Sequence, residues 1–261
     1  MNVLDFDIFK KTKKKISMVT CYDFWSARIV AESNVDCVLV GDSLAMVMHG
    51  HTTTLKASLT MMCAHIEAVR KGAPKKFLVG DLPFLSYRKD LSDNMTAVEQ
   101  LAQAGAEALK LEGAGGNIEF IKHCVESGVP MMGHLGLTPQ SIHQLGGFRV
   151  QGRGGQAELL FEDALRLEDA GCFAVVLECV PHQIAQKITA RLHIPTIGIG
   201  AGVECDGQVL VLQDLLGMNP EFKPRFLRSF LNGFDLLKQA LDDYDASVKS
   251  CNFPSPQESY E

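Results

Sequence analysis

Residues 103–113 read QAGAEALKLEG, and the same grammar returns at 126–136, ESGVPMMGHLG, and at 169–179, DAGCFAVVLEC. Each stretch opens on the last turn of a segment with helical period and breaks at a glycine. Two or three residues later it enters an apolar run that stops on a charged or polar side chain. A glycine at that break takes the left-handed conformation that ends a helix. The apolar runs are continuous rather than alternating, as expected of strands covered on both faces. Helix, glycine, buried strand and polar residue, repeated, predict βα units and a parallel sheet.

Working outward, eight runs qualify as strands: Ile16–Tyr22, Cys37–Gly41, Phe77–Asp81, Ala108–Leu111, Pro130–His134, Phe173–Glu178, Thr196–Gly200 and Val209–Gln213. Eight βα units in 261 residues fit one α/β domain, a (βα)8 TIM-type barrel, which typically needs about 250 residues. The barrel core is expected over about 16–217, a helical tail over 218–248 with its helix from Phe226, and a disordered end over 249–261. Two longer loops, GHTTTLK (50–56) and residues 137–156, follow strands two and five, where βα loops line or gate a pocket.

The bulk composition narrows the function classes. A net charge of −6 argues against nucleic acid or an anionic membrane as partner. The run Lys10–Lys15 reads as a solvated face, with a phosphate patch as the alternative. Eight cysteines are dispersed without a C-x-x-C and read as small buried hydrophobes in a reducing, cytoplasmic setting. The first ten residues, MNVLDFDIFK, lack the apolar core of a signal peptide, and no apolar run is long enough to span a bilayer.

The polar residues that end the runs are Asp42, Ser43, Asp81, Lys110, Glu112, His134 and Glu178. In a parallel barrel all strand ends of one polarity open on one face, so these side chains converge on one mouth. Asp42 and Asp81 both follow V-G on adjacent strands. Two such carboxylates repel unless a cation lies between them, and a hard divalent ion answers that need, with Glu112 on the next strand. Helix capping or an Asx turn is the plain alternative for each aspartate. Lys110, two residues from Glu112 on one strand, serves either a substrate carboxylate or an ion pair with Glu112. Glu178 ends the most apolar strand, where desolvation disfavours its charge and poises it as a general base; a structural hydrogen bond is its alternative. His134 is either a donor to a developing oxyanion or a satisfied core histidine. His49 and His51 suggest a zinc pair, yet no third soft ligand has suitable spacing, which excludes zinc. Gly198, Gly200 and Gly202 suggest close backbone approach to a ligand rather than dinucleotide binding.

The segments MVTCYDFWSA, LVGDSLAMVMHGHTTTL, AVRKGAP, GDLPFLSY, ALKLEG, GHLGLTPQS, GGFRVQGRG, VLECVP, IPTIGIGAG and DGQVLVLQDLLG resemble, in order and over about residues 20–217, ketopantoate hydroxymethyltransferase (3-methyl-2-oxobutanoate hydroxymethyltransferase). The chain departs from the family's usual pattern at Ala45 (usually Gly), at Leu85 (usually Met) and over Ala57–Cys63. The resemblance implies a (βα)8 enzyme of pantothenate biosynthesis that binds Mg2+ and 2-oxoisovalerate. It would take a one-carbon unit from 5,10-methylenetetrahydrofolate and give ketopantoate. It further implies Asp42 and Asp81 as metal ligands that also meet the substrate, and Glu112 in the metal shell. Ser43 and Lys110 would contact the keto acid with His134 nearby, and Glu178 would accept the proton. The family is cytoplasmic and commonly decameric, so a homo-oligomer is expected. Two rival readings are a C–C lyase of the isocitrate lyase and phosphoenolpyruvate mutase type, which also stabilises an enolate, and a silent barrel serving as an assembly module.

Overall fold

The eight runs pair as one closed parallel barrel in sequence order, β1 against β2 and so on round to β8 against β1. The computed structural model of the chain describes residues 1–260. The strands are β1 Ile16–Thr20, β2 Cys37–Val40, β3 Phe77–Asp81, β4 Ala108–Glu112, β5 Met131–Gly136, β6 Ala174–Glu178, β7 Thr196–Ile199 and β8 Gly207–Leu210. The helices are α1 Val3–Thr12, α2 Phe24–Glu32, α3 Leu44–Val47, α4 Leu59–Gly72, α5 Leu91–Ala104, α6 Ile118–Glu126, α7 Ile142–Leu145, α8 Gln156–Asp169, α9 His182–Arg191, α10 Leu212–Leu215 and α11 Gly233–Lys249. The TIM-type architecture is the one expected.

Local chemistry explains the alternation. Asp23, Ser58 and Asp90 each accept a hydrogen bond from a first-turn amide and so start α2, α4 and α5. Gly105, Gly128 and Gly171, the breaks in the repeated grammar, carry φ of 116°, 88° and 93°, so the helices do stop where the glycines stand.

One layer decides where chemistry can sit. Side chains two apart on a strand share a face, and the buried cluster inside the barrel contains Phe77 and Val79, Ala108, Met132, and Ala174 and Val176. Continuing each series by two residues gives Asp81, Lys110 then Glu112, His134, and Glu178. The same inward faces are therefore apolar below and polar above. The lower end is closed by α1: Phe6, fully buried, meets Phe77 and Phe173 edge-on at centroid distances of 5.5 and 4.9 Å.

The lysine run is more committed than a solvated face. Lys10 pairs with Asp206 at 2.8 Å and donates to Thr189 O, and Lys15 donates to Val203 O and Cys205 O. These bonds tie α1 and its exit to α9 and to the segment before β8.

Most strands begin or end one or two residues from the expected bounds, and the C-terminal part of the chain differs more. β8 begins two residues early and ends before Val211, because Leu212–Leu215 coils into a turn of helix. The chain forms two compact units, Met1–Leu210 and a second from Val211. In the second unit the helix starts at Gly233 rather than Phe226, and within the end expected to be disordered Pro256–Glu258 forms a 3-10 turn with a capping box from Ser255, residue 261 lying outside the described residues. Among the described residues no helix is long and apolar enough to cross a membrane.

Candidate active site

Barrel register sets the first contact. Asp81 stands opposite Lys110 in the β3–β4 ladder, and Lys110 Nζ lies 2.9 Å from Asp81 Oδ1 with both side chains about 95% buried (5% and 3% exposed). Lys110 therefore pairs across strands with Asp81, not along its own strand with Glu112. Glu112 stands opposite His134 in the next ladder, and His134 Nδ1 is 3.4 Å from Glu112 Oε1 and 3.4 Å from Lys110 Nζ. His134 Nε2 is 3.2 Å from Glu178 Oε2. That approach has ion-pair distance without hydrogen-bond alignment. One chain of contacts thus runs Asp81–Lys110–His134–Glu178, with Glu112 attached at the histidine.

Asp42 follows β2 in the turn and reaches the cluster through its backbone: its N–H donates to Asp81 Oδ2 at 3.0 Å. Its carboxylate accepts from Gln140 Nε2 at 2.9 Å. Ser43, half-buried, exchanges a 2.7 Å hydrogen bond with Tyr22 OH. All the strand-end residues singled out from the sequence therefore meet in one place.

Three further residues hold the site beyond the charged strand ends. Gln140, in the 3-10 turn after β5, also donates its backbone N–H to Glu112 Oε2 at 2.9 Å and its Nε2–H to Leu82 O at 3.0 Å. Tyr87 OH donates to Gln140 Oε1 at 2.6 Å, which fixes the orientation of that amide. Tyr22 follows the apolar run of β1, so the rule applied to other strand ends would have found it. For Gln140 and Tyr87 no periodicity carries a signal, because both lie on irregular loops.

Gly136 explains how Glu178 is placed. It sits at φ 93°, and a Cβ there would stand 2.2 Å from Glu178 O. Only glycine lets Leu137 N–H reach that carbonyl, at 2.8 Å. In the TIGIGAG run, the close approach at Gly198 is made by Cys205 and Gln208, and that at Gly202 by His182.

Electrostatics identifies what the site lacks. Burial first, then the charges of Asp81 and Glu112, push the Asp42 carboxyl well above the ordinary range. Asp81 is also raised by burial, although Lys110 and the Asp42 amide oppose it. Lys110 is pulled down by burial, but Asp81, Glu112 and Asp42 outweigh that and hold it protonated. Burial and Lys110 likewise pull His134 down, while Glu112 and Glu178 lift it to about 9. The burial expected at Glu178 is partial, its side chain remaining 19% exposed; Asp42, Asp81 and Glu112 are the deeply buried carboxylates. Four carboxylates face two cations, so a further positive charge is wanted.

The donor set fits a hard ion. Asp42 and Asp81 offer carboxylate oxygens, and Asp81 Oδ1 is buried without an aligned hydrogen-bond donor. Among the described residues no three His, Cys, Asp or Glu side chains already surround one point. A closed protein cage is thus not built, whereas one or two carboxylates completed by water and substrate oxygens suit Mg2+.

Comparison with known proteins places the chain in a family. Residues 1–256 match the family model of ketopantoate hydroxymethyltransferase. A Coxiella burnetii protein named 3-methyl-2-oxobutanoate hydroxymethyltransferase is 62% identical over 256 residues, covering 97% of this chain and 96% of its own. Proteins of the same name from Bdellovibrio bacteriovorus and Legionella pneumophila are 61% identical (99% and 98% covered) and 52% identical (100% and 100%). Among solved structures, 2,3-dimethylmalate lyase, a member of the PEP mutase/isocitrate lyase superfamily, superposes with a TM-score of 0.59 at 14% identity (98% and 92% covered). Phosphoenolpyruvate phosphomutase from Streptomyces platensis does so with 0.63 at 10% (98% and 93%). Those two share the fold. With the family model spanning residues 1–256, and relatives above half identity over 96% or more of their length, this chain belongs to the ketopantoate hydroxymethyltransferase family.

Proposed function

We propose that the barrel transfers a hydroxymethyl group from 5,10-methylenetetrahydrofolate to 3-methyl-2-oxobutanoate, forming ketopantoate through an enolate of the keto acid for pantothenate biosynthesis. The observation that supports this reading best is the continuous cluster of Asp42, Asp81, Lys110, Glu112, His134 and Glu178 on the inward face at the strand ends. Removing the C3 proton needs a base near the carbon and positive charge near the keto oxygen. Asp42 and Asp81, with Glu112 in the outer shell, would hold Mg2+, which supplies Lewis acidity when bound.

The chain's own residues do the rest. Lys110, held protonated in the wall, presents charge to the substrate carboxylate, and Ser43, oriented by Tyr22, offers a hydroxyl beside it. Glu178 stands at the open edge and takes the C3 proton. His134, within ion-pair distance of both Glu112 and Glu178, sets the position of that base. Water supplies the hydroxyl oxygen: hydrolysis of the folate's methylene bridge gives formaldehyde and tetrahydrofolate. The enolate carbon adds to the formaldehyde carbon, and the resulting alkoxide takes up a proton to give ketopantoate. The protein works as a soluble cytoplasmic homo-oligomer, a reading supported by the family and by the apolar side chains Phe234, Leu237, Leu241 and Tyr244 exposed on α11.

Exchange of the C3 proton of 3-methyl-2-oxobutanoate in deuterated water, with and without Mg2+ and folate, tests the scheme. Mg2+-dependent exchange, followed by ketopantoate formation when the folate is added, is expected. Absence of exchange under both conditions would defeat it.

A further inference from the structure

Spacing alone excluded zinc at His49 and His51 for want of a third soft ligand. Folding brings one from another element: His65 on α4 places its Nε2 2.9 Å from His49 Nε2, with the rings perpendicular at 89°. His65 Nδ1 faces the carbonyl of Tyr22. A carbonyl only accepts, so Nδ1 carries the hydrogen and the neutral ring turns the Nε2 lone pair toward His49. A metal-ligating histidine is held in the same way, its second nitrogen donating to a backbone carbonyl.

We propose that His49 and His65 bind an imidazole-seeking divalent ion of the late first row, Zn2+, Cu2+ or Ni2+, outside the carboxylate cluster. Two nitrogens each about 2.0–2.1 Å from one ion stand about 2.9 Å apart at a right angle and about 3.3 Å apart at a tetrahedral one. The observed 2.9 Å equals the right-angle separation and is a few tenths of an ångström short of the tetrahedral one, and His49 is exposed. Two protein nitrogens are all that already face each other, so water completes the shell. His51, its ring stacked 6.5 Å from His49, is near enough to swing into a further position. Ligand softness sorts the two sites: carboxylates and water suit Mg2+, whereas imidazoles suit the later ions.

The position gives the ion leverage. His51 N–H bonds Ala45 O at 2.9 Å, in the segment that carries Ser43. Tyr22, whose carbonyl His65 holds, orients Ser43 through its hydroxyl. An ion on the pair therefore clips the loop after β2 to α4 on both sides of a substrate-facing serine.

Cu2+ titration of the full chain in saturating Mg2+, followed by low-temperature electron paramagnetic resonance, tests the site. A Cys251→Ser background removes the exposed thiol. One Cu2+ per chain with splitting from two imidazole nitrogens is expected. His49→Gln should remove one nitrogen and weaken binding about tenfold or more, a loss at least that of an outer-shell change. It should leave Mg2+-supported turnover unchanged. Asp42→Asn should retain the two-nitrogen signal. A spectrum unaltered by His49→Gln, a signal lost in Asp42→Asn, or a sulfur-to-copper band would overturn the proposal.

Discussion

Gln140 Nε2 lies 2.9 Å from Asp42 Oδ2, joining residues 98 apart in the chain. The same residue's backbone N–H holds Glu112, so one loop residue sets the separation of two carboxylates that repel each other. Its amide cannot flip without putting oxygen against oxygen at Asp42.

Gln140→Leu should therefore cost stability and function together. The change leaves Asp42 and Leu82 O without the amide donor and the Tyr87 hydroxyl without its acceptor, and each such loss costs about 1–3 kcal/mol. Urea unfolding should show a lower midpoint with an unchanged slope, and Mg2+ affinity should fall. Wild-type stability in this variant would show that water replaces the amide.

Lys110→Met removes the only lysine in the cluster while keeping its length. A buried ion pair broken on one side is destabilised by about 3–5 kcal/mol, here because the Asp81 charge is left uncompensated. Metal-free protein should melt well below wild type, and KM for the keto acid should rise more than kcat falls. A change in kcat alone would remove Lys110 from substrate binding.

Asp42→Asn should act in the opposite sense on the metal-free protein. Burial and two carboxylate neighbours hold the Asp42 carboxyl above its unfolded value, so its charge opposes folding at neutral pH. That penalty fades as pH falls through the folded value, where wild type becomes protonated. The variant should match or exceed wild type in Tm at pH ~8, with the gap closing in acid, while Mg2+ no longer raises its Tm. A variant less stable than wild type at pH ~8 would contradict this.

Glu178→Gln separates binding from proton transfer. The amide keeps the shape, so 3-methyl-2-oxobutanoate should still bind with Mg2+. Deuterium exchange at C3 should drop by about two to four orders of magnitude, the usual contribution of a positioned base. Exchange at the wild-type rate would make Glu178 structural.

Assembly is checked by sedimentation. A species several times 28.5 kDa is expected at micromolar concentration, and Leu237→Lys with Leu241→Lys on α11 should shift it toward smaller species. A wild-type monomer would end the oligomer reading.

The sequence by itself determined the barrel and the addresses of its polar strand ends. Continuous apolar runs and glycine stops are local signals, and a period of two then dictates that Asp81, Glu112 and Glu178 face the same way as the apolar residues below them. Which of these touch was decided only in the tertiary structure. Lys110 pairs with Asp81 rather than with its strand neighbour Glu112, because ladder register brings those two opposite each other. Gln140 and Tyr87 enter through loops, whose paths depend on contacts with distant strands rather than on any repeat. His65 meets His49 only because α4 packs beside the loop after β2, a relation that no spacing along the chain encodes. Hydrophobic pattern is a property of neighbours in sequence, whereas partnership among buried charges depends on register and loop closure, and these form only once the barrel has closed.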